Sequence, residues 1–145
     1  MNTVAFQNGY WYVGNDTGLI ICDENWNRIE TELTEKYADI RIRCILADSK
    51  GNVWIASYSD YPVVCYNPAD GSVLEFNTDA GLTGNKARVI TELSDGRIAV
   101  GTQSGIDIFR NGELVENYTH EDGLENPTIL CIAEGTSGEL VLGSD

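Results

Sequence analysis

Basic residues are scarce in this chain: nine Lys and Arg stand against 23 Asp and Glu, a formal net charge of −14. A surface of that sign repels phosphate backbones and anionic lipid, so nucleic acid and direct membrane contact are not expected. Histidine occurs once, at His120, and none of the four cysteines forms a C-x-x-C pair. Ordinary zinc spacing is therefore missing, and no metal or other cofactor is expected. No window approaches the roughly 18 apolar residues of a membrane helix. The opening MNTVAFQNGYW has neither the basic nor the apolar region of a signal peptide. Met1 runs almost directly into a strand pattern, as an expression start or a gene fragment would.

What is present is repetition. GYWYVGN from Gly9, GNVWIAS from Gly51, GRIAVGT from Gly96 and GELVLGS from Gly138 are variants of one phrase, 42, 45 and 42 residues apart. A period of that length marks a repeat architecture. Each unit reads as short β-branched and aromatic runs separated by Gly, Asp, Asn and Pro. The first unit gives strands near Thr3–Gln7, Tyr10–Gly14, Leu19–Cys22 and Arg28–Glu32. The second gives 40–47, Val53–Ser57, Val63–Tyr66 and Val73–Phe76. The third gives Ala87–Leu93, Arg97–Thr102, Ile106–Phe109 and Glu113–Tyr118, and the fourth only Thr128–Glu134 and Glu139–Gly143. Glu30–Tyr37, the one stretch with helical composition, matches the connection between units and is expected to be a loop.

Four short strands per period describe a β-propeller blade. The fold expected is all-β, a propeller segment of about three and a half four-stranded blades in a single unit spanning 1–145. Its blades lie near 1–36, 37–79, 80–121 and, in part, 122–145. Gly14, Ala56, Gly101 and Gly143 share a column where neighbouring strands leave little room. Tyr12, Trp54, Ala99 and Val141 share another, expected to pack between blades. Cys22, Cys44, Cys65 and Cys131 each lie in an apolar run and read as buried free thiols, although an even count also permits disulfides.

The run Gly81–Thr102, GLTGNKARVITELSDGRIAVGT, resembles the two-component regulator propeller repeat. Asp122-Gly123-Leu124 with Asn126, Ile132, Glu134 and Gly138 repeats the same phrase. Tyr66-Asn67-Pro68-Ala69-Asp70-Gly71 resembles that family's turn, and Thr78-Asp79-Ala80-Gly81-Leu82 its connection. The family tryptophan stands only at Trp54, with Tyr12, Ala99 and Val141 in its place elsewhere. The W-D and G-H signatures of WD40 repeats and the double glycine of kelch are missing. The resemblance implies a non-enzymatic, ligand-sensing region of a bacterial two-component-type regulator, periplasmic or extracellular, with a small and often glycan-derived ligand. The alternative is a scaffold or protein-interaction propeller with no small ligand. A propeller enzyme would need clustered His, Asp or Glu in its channel, and one histidine does not supply that.

Binding residues are expected on loops at one rim of the blades. Tyr58, Asp60 and Tyr61 suit stacking and hydrogen bonding to a sugar or peptide, or else the tyrosines cover the blade edge beside Pro62. Arg43 and Arg88 occupy equivalent first-strand positions, with Leu130 third, and Arg41, Lys86 and Thr128 form the neighbouring column. One of these pairs would point into the channel and draw an anionic ligand, or the basic groups pair with carboxylates such as Asp39 and Glu92, the favoured reading. His120 reads as a solvated loop residue. Three and a half blades would leave apolar faces wet, so a homo-oligomer or the remainder of a longer propeller is expected to cover them.

Overall fold

In the computed structural model, which describes residues 1–144, the alternating segments pair as antiparallel hairpins in chain order. The first sheet runs β1 (Thr3–Gln7), β2 (Tyr10–Asn15), β3 (Gly18–Cys22) and β4 (Arg28–Ile29). The second runs β5 (Ile42–Ala47), β6 (Val53–Ser57), β7 (Val63–Tyr66) and β8 (Val73–Phe76). The third runs β9 (Ala87–Glu92), β10 (Ile98–Thr102), β11 (Gly105–Arg110) and β12 (Glu113–Thr119). A two-stranded fourth holds β13 (Ile129–Glu134) and β14 (Leu140–Ser144). The first strands β1, β5, β9 and β13 are neighbours across successive sheets and form the inner edge of an open arc. This is an all-β, open propeller-like fold.

Side-chain alternation explains why the central sheets bury both faces. Val53 and Ile55 of β6 enter one core with Tyr12, Leu19 and Ile21 of the first sheet. Trp54 and Ala56, pointing the other way, enter a second core with Ile98, Val100 and Phe109 of the third sheet. Ala99, Ile106 and Ile108 meet Ile129 and Ile132 in a third. The small-residue column does what its spacing implies. A Cβ on Gly14 would lie 2.5 Å from Ile42 Cγ2, and one on Gly101 would lie 2.7 Å from Ile129 Cγ2. The second column departs at its end: Tyr12, Trp54 and Ala99 are buried, but Val141 is 57% exposed, with no further sheet packed on it among the described residues.

Two expectations are corrected. Glu32–Lys36 is a helical turn, α1, not a loop. Thr31 caps it by accepting from Thr34 N–H, while Thr34 Oγ1 accepts from Thr31 N–H at 2.8 Å. Leu33 and, just beyond, Tyr37 then drop into the first core and close it. The four thiols are free, but only Cys22 and Cys65 are buried; Cys44 is half-buried and Cys131, on the uncovered face of the fourth sheet, is exposed. Burial pushes the Cys65 thiol up to about 12, so it does not ionise near neutrality.

The connections before β9 and β13 explain the Gly-Leu that both Gly81-Leu82 and Gly123-Leu124 carry. Each makes one 3₁₀ turn, Thr78–Ala80 and His120–Asp122, ended by a glycine at φ 104° and 103° (Gly81 and Gly123). An L-residue is disfavoured at that dihedral, so glycine is the fitting choice. Among the described residues, no helix is long and apolar enough to cross a membrane.

Candidate anion-binding site on the inner strands

A β-bulge sits near the start of three inner strands. Ile42 pairs with Ser57 and Cys44 with Ala56, which leaves Arg43 as the extra residue. Ala87 pairs with Thr102 and Val89 with Gly101, leaving Arg88. Ile129 and Cys131 leave Leu130 in the same way. A bulged residue drops out of the two-face alternation and its side chain is re-aimed. The bulges therefore take Arg43 and Arg88 out of the cores and set them at one register on adjacent sheets.

Tyr58 is what they meet. Its N–H donates to Arg41 C=O at 3.0 Å, so the residue after β6 is anchored to the start of β5. Ser57 and Ser59 share a hydroxyl hydrogen bond of 2.8 Å, and Ser59 Oγ donates to Tyr61 C=O, which stiffens the loop. Four cations then surround one ring: Arg41 at 5.6 Å, Lys86 at 5.7 Å, Arg88 at 5.8 Å and Arg43 at 5.9 Å from its centroid. Each such contact at an exposed site contributes about 0.5–1 kcal/mol. A phenol carries no net charge, so it attracts these groups without neutralising them.

The carboxylates nearby do little more. Asp16 pairs with Arg41 at 3.0 Å. It is held below the usual carboxylate range chiefly by a hydrogen bond from Asn2, then by Arg41 and the charge of Arg43. Among the described residues, Arg43, Lys86 and Arg88 form no ion pair. The expected partners are engaged elsewhere: Glu92 accepts from Ser49 N–H and Oγ, and Asp39 is not paired with either arginine. The pairing reading is thus corrected, because the bulges aim both arginines at Tyr58. The Nε atoms of Arg43 and Arg88 are buried with no hydrogen-bond partner. A buried charged donor left unsatisfied is costly, and oxygens of an anion would satisfy both.

Beside the ring lies a groove of about 550 Å³ lined by Tyr58, Ser59, Asp60, Asn77, Asp79 and Lys86, among others. Asp60 thus faces the same space as Tyr58. Tyr61 does not: it lies under Lys36 Nζ, 5.7 Å from its ring centroid, in a smaller hollow against Tyr37 and Ile40. Of the five expected residues, Tyr58, Arg43 and Arg88 converge, Asp60 borders the groove, and Tyr61 faces away. Arg41 and Lys86 of the neighbouring column join the cluster as well, where one pair alone was expected to enter the channel. Their alignment was visible in the repeat, but the reach of Tyr58 from the next loop was not.

A buried carboxylate holds the connection that carries two of the groove's lining residues, Asn85 and Lys86. Asp107 on β11 is fully buried and accepts from Thr83 N–H at 3.0 Å and Thr83 Oγ1 at 2.9 Å. Burial raises its pKa to about 6, against the lowering effect of those hydrogen bonds. Thr83 belongs to the connection that delivers Asn85 and Lys86. His120 lies apart and exposed, its Nδ1 2.9 Å from Leu124 C=O. No group of three or more potential metal ligands occurs among the described residues.

The family model described as "Two component regulator propeller" matches residues 36–59, which span the end of α1, β5, β6 and Tyr58. Residues 36–59 are thus similar to a two-component regulator propeller repeat. Its structure is similar to the extracellular domain of a hybrid two component system from B. thetaiotaomicron, with TM-score 0.81 and 21% identity over 99% of this chain and 20% of that one. A second such extracellular domain from the same organism gives TM-score 0.72 and 21% identity over 97% of this chain and 22% of that one. Virginiamycin B lyase from Staphylococcus aureus gives TM-score 0.73 and 16% identity over 97% of this chain and 47% of that one. The chain thus spans about a fifth of the length of the two regulator domains and about half of the lyase. No curated protein sequence matches it. At these identities the likeness establishes the propeller fold, one that serves sensor regions and a lyase alike.

Proposed function

We propose that this chain is a non-enzymatic, ligand-sensing segment of a two-component-type propeller, working in the periplasm or outside the cell, and that its ligand is a small anion. The observation that carries the reading is the convergence of Arg41, Arg43, Lys86 and Arg88 on Tyr58. In a chain of net charge −14, a concentrated positive site focuses anions at one place. Guanidinium groups match carboxylate, sulfate and phosphate oxygens in bidentate geometry. The polar groove with an aromatic beside it suits a ligand that also bears hydroxyl groups, such as an acidic glycan fragment.

The site also gives binding a route to a signal. Arg43 belongs to the second sheet and Arg88 to the third, so an anion held by both ties two blades together at their inner edge. Binding would then stabilise the joint between them, in proportion to ligand concentration over Kd. The single histidine, a common acid–base group, lies outside the cluster, which supports sensing over catalysis. A thermal-shift screen of acidic sugars, neutral sugars, sulfate, phosphate and simple dicarboxylates tests the reading. Stabilisation by anionic members that is lost in Arg43→Gln/Arg88→Gln supports it. Silence across the panel overturns it and favours the scaffold alternative.

A further inference from the structure

The groove beside Tyr58 holds charges of both signs that do not neutralise each other. Tyr58 and Lys86 line it together with Asp60 and Asp79. Its walls come from the loop after β6 and the connection from β8 to β9, in the middle of the arc. Lys86 turns its Nζ to the Tyr58 ring at 5.7 Å. Among the described residues, neither Lys86 nor either aspartate forms an ion pair, and neither carboxylate accepts a hydrogen bond.

Asp23, Asp48, Asp70 and Asp95 show the ordinary use of a turn aspartate: each accepts from a backbone N–H of its own turn. Asp60 and Asp79 have no such use, yet the backbone that carries them is fixed. Ser59 Oγ donates to Tyr61 C=O at 3.0 Å, a bond that spans Asp60. Asn77 caps the 3₁₀ turn Thr78–Ala80 by accepting from Ala80 N–H, and Gly81 ends it. The backbone that carries Lys86 is held as well. Gln103 accepts from Lys86 N–H at 2.9 Å and donates through Nε2 to Asn85 Oδ1 at 2.6 Å. Both carboxylates are therefore presented to the groove on fixed turns and remain free to meet a ligand.

A ligand that is only anionic leaves this arrangement half used. Its first charge is drawn to the four cations, but a second negative charge would meet Asp60 and Asp79, and such like-charge contacts reject the wrong ligand. A positive group is instead attracted, with charge-assisted hydrogen bonds to carboxylate oxygens. We propose, on the strength of the anion site above, that the groove takes a zwitterion, its anionic group held by the cations around Tyr58 and its ammonium by Asp60 and Asp79. At about 550 Å³ the groove has the size of a small-molecule site. That is room for a short peptide or an aminated sugar acid, which share this pair of charges.

Isothermal titration at low salt and about pH 6.5, where a peptide amine is protonated, reads this out. The probes are alanyl-alanine and its N-acetyl form, and glucosaminic acid and gluconic acid, so that each zwitterion has a counterpart without the cation. At least one zwitterion is expected to bind roughly tenfold more tightly than its counterpart, the effect of one charge-assisted contact. Which pair shows the preference distinguishes the peptide from the sugar acid. In Asp60→Asn/Asp79→Asn the two members of that pair should bind alike. Asp60→Ser/Asp79→Ser replaces that variant if circular dichroism shows it unfolded. Counterparts that bind as tightly as their zwitterions, or a preference that survives the double substitution, overturn the zwitterion and leave the anion site standing. Silence of all four probes overturns it too, and the anion site then stands or falls on sulfate and phosphate alone.

Discussion

Arg43 and Arg88 lie on neighbouring inner strands, at matching bulges, and flank one Tyr58 ring at 5.9 and 5.8 Å. Two like charges brought together without a carboxylate between them are a cost to the folded chain. Removing one should therefore leave stability unchanged or slightly raised, which is unusual for a residue with a buried polar atom. Arg43→Gln and Arg88→Gln are expected to unfold in urea at or above the midpoint of the parent chain. A clear loss of stability would show that the arginines serve the fold.

The same substitutions should weaken anion binding. A hydrogen bond to a charged group contributes about 1.5–3 kcal/mol, so each is expected to reduce affinity by roughly ten- to a hundredfold. Tyr61→Phe, whose ring faces α1 and not the groove, should leave affinity unchanged.

Asp107 sets a pH dependence whose sign is fixed by its burial. Its pKa rises from 3.8 unfolded to about 6 folded, so between those values the native state holds a proton that the unfolded chain has released. Stability contributed by the neutral acid is complete below 3.8 and lost as pH rises through 6. Asp107→Asn removes that slope. Relative to the parent, the variant should gain about 2 kcal/mol on going from pH 4.5 to pH 7. Asp16, Asp23, Asp70 and Asp95 have lowered values. Their opposite contribution falls away only below the usual carboxylate range, outside this window. Denaturation midpoints at the two pH values measure the effect, and parallel curves would contradict it.

Gly101→Ala tests the blade joint. The added methyl would sit 2.7 Å from both Ile129 Cγ2 and Val89 Cγ1, an overpacking expected to cost about 1–3 kcal/mol. Chemical denaturation reads it directly, and a neutral result would mean that the third joint is loose.

Thr31→Ala tests the turn that closes the first core. Losing its side-chain acceptor for Thr34 N–H should cost about 1 kcal/mol. Because Leu33 and Tyr37 dock through this turn, the loss should also speed hydrogen exchange along β3.

Much of this fold was legible because strand signals repeat. Val53–Ser57, Val63–Tyr66 and Val73–Phe76 lie where alternation and turn residues put them. The helical turn Glu32–Lys36 was not, since a five-residue element has too little periodicity to outweigh its position. What revealed it was a threonine pair acting as a cap. At the site, the matching columns of Arg43 and Arg88 were visible, but the bulges were not. An extra residue in a ladder leaves no mark in composition, yet it decides that both arginines leave the cores. Tyr58 and Tyr61 looked equivalent as loop aromatics. They diverge because the hydrogen bond from Tyr58 N–H to Arg41 anchors one inward, while Lys36 of α1 draws the other outward.

The central claim is that the cations around Tyr58 form an anion site. Isothermal titration of the unmodified chain with sulfate, phosphate, a dicarboxylate and an acidic sugar, at low and raised ionic strength, tests it most directly. The account predicts saturable binding of at least one anion, weaker at raised salt, and abolished in Arg43→Gln/Arg88→Gln with the fold intact. Binding that survives that double substitution, or no binding by any of the four, would contradict it.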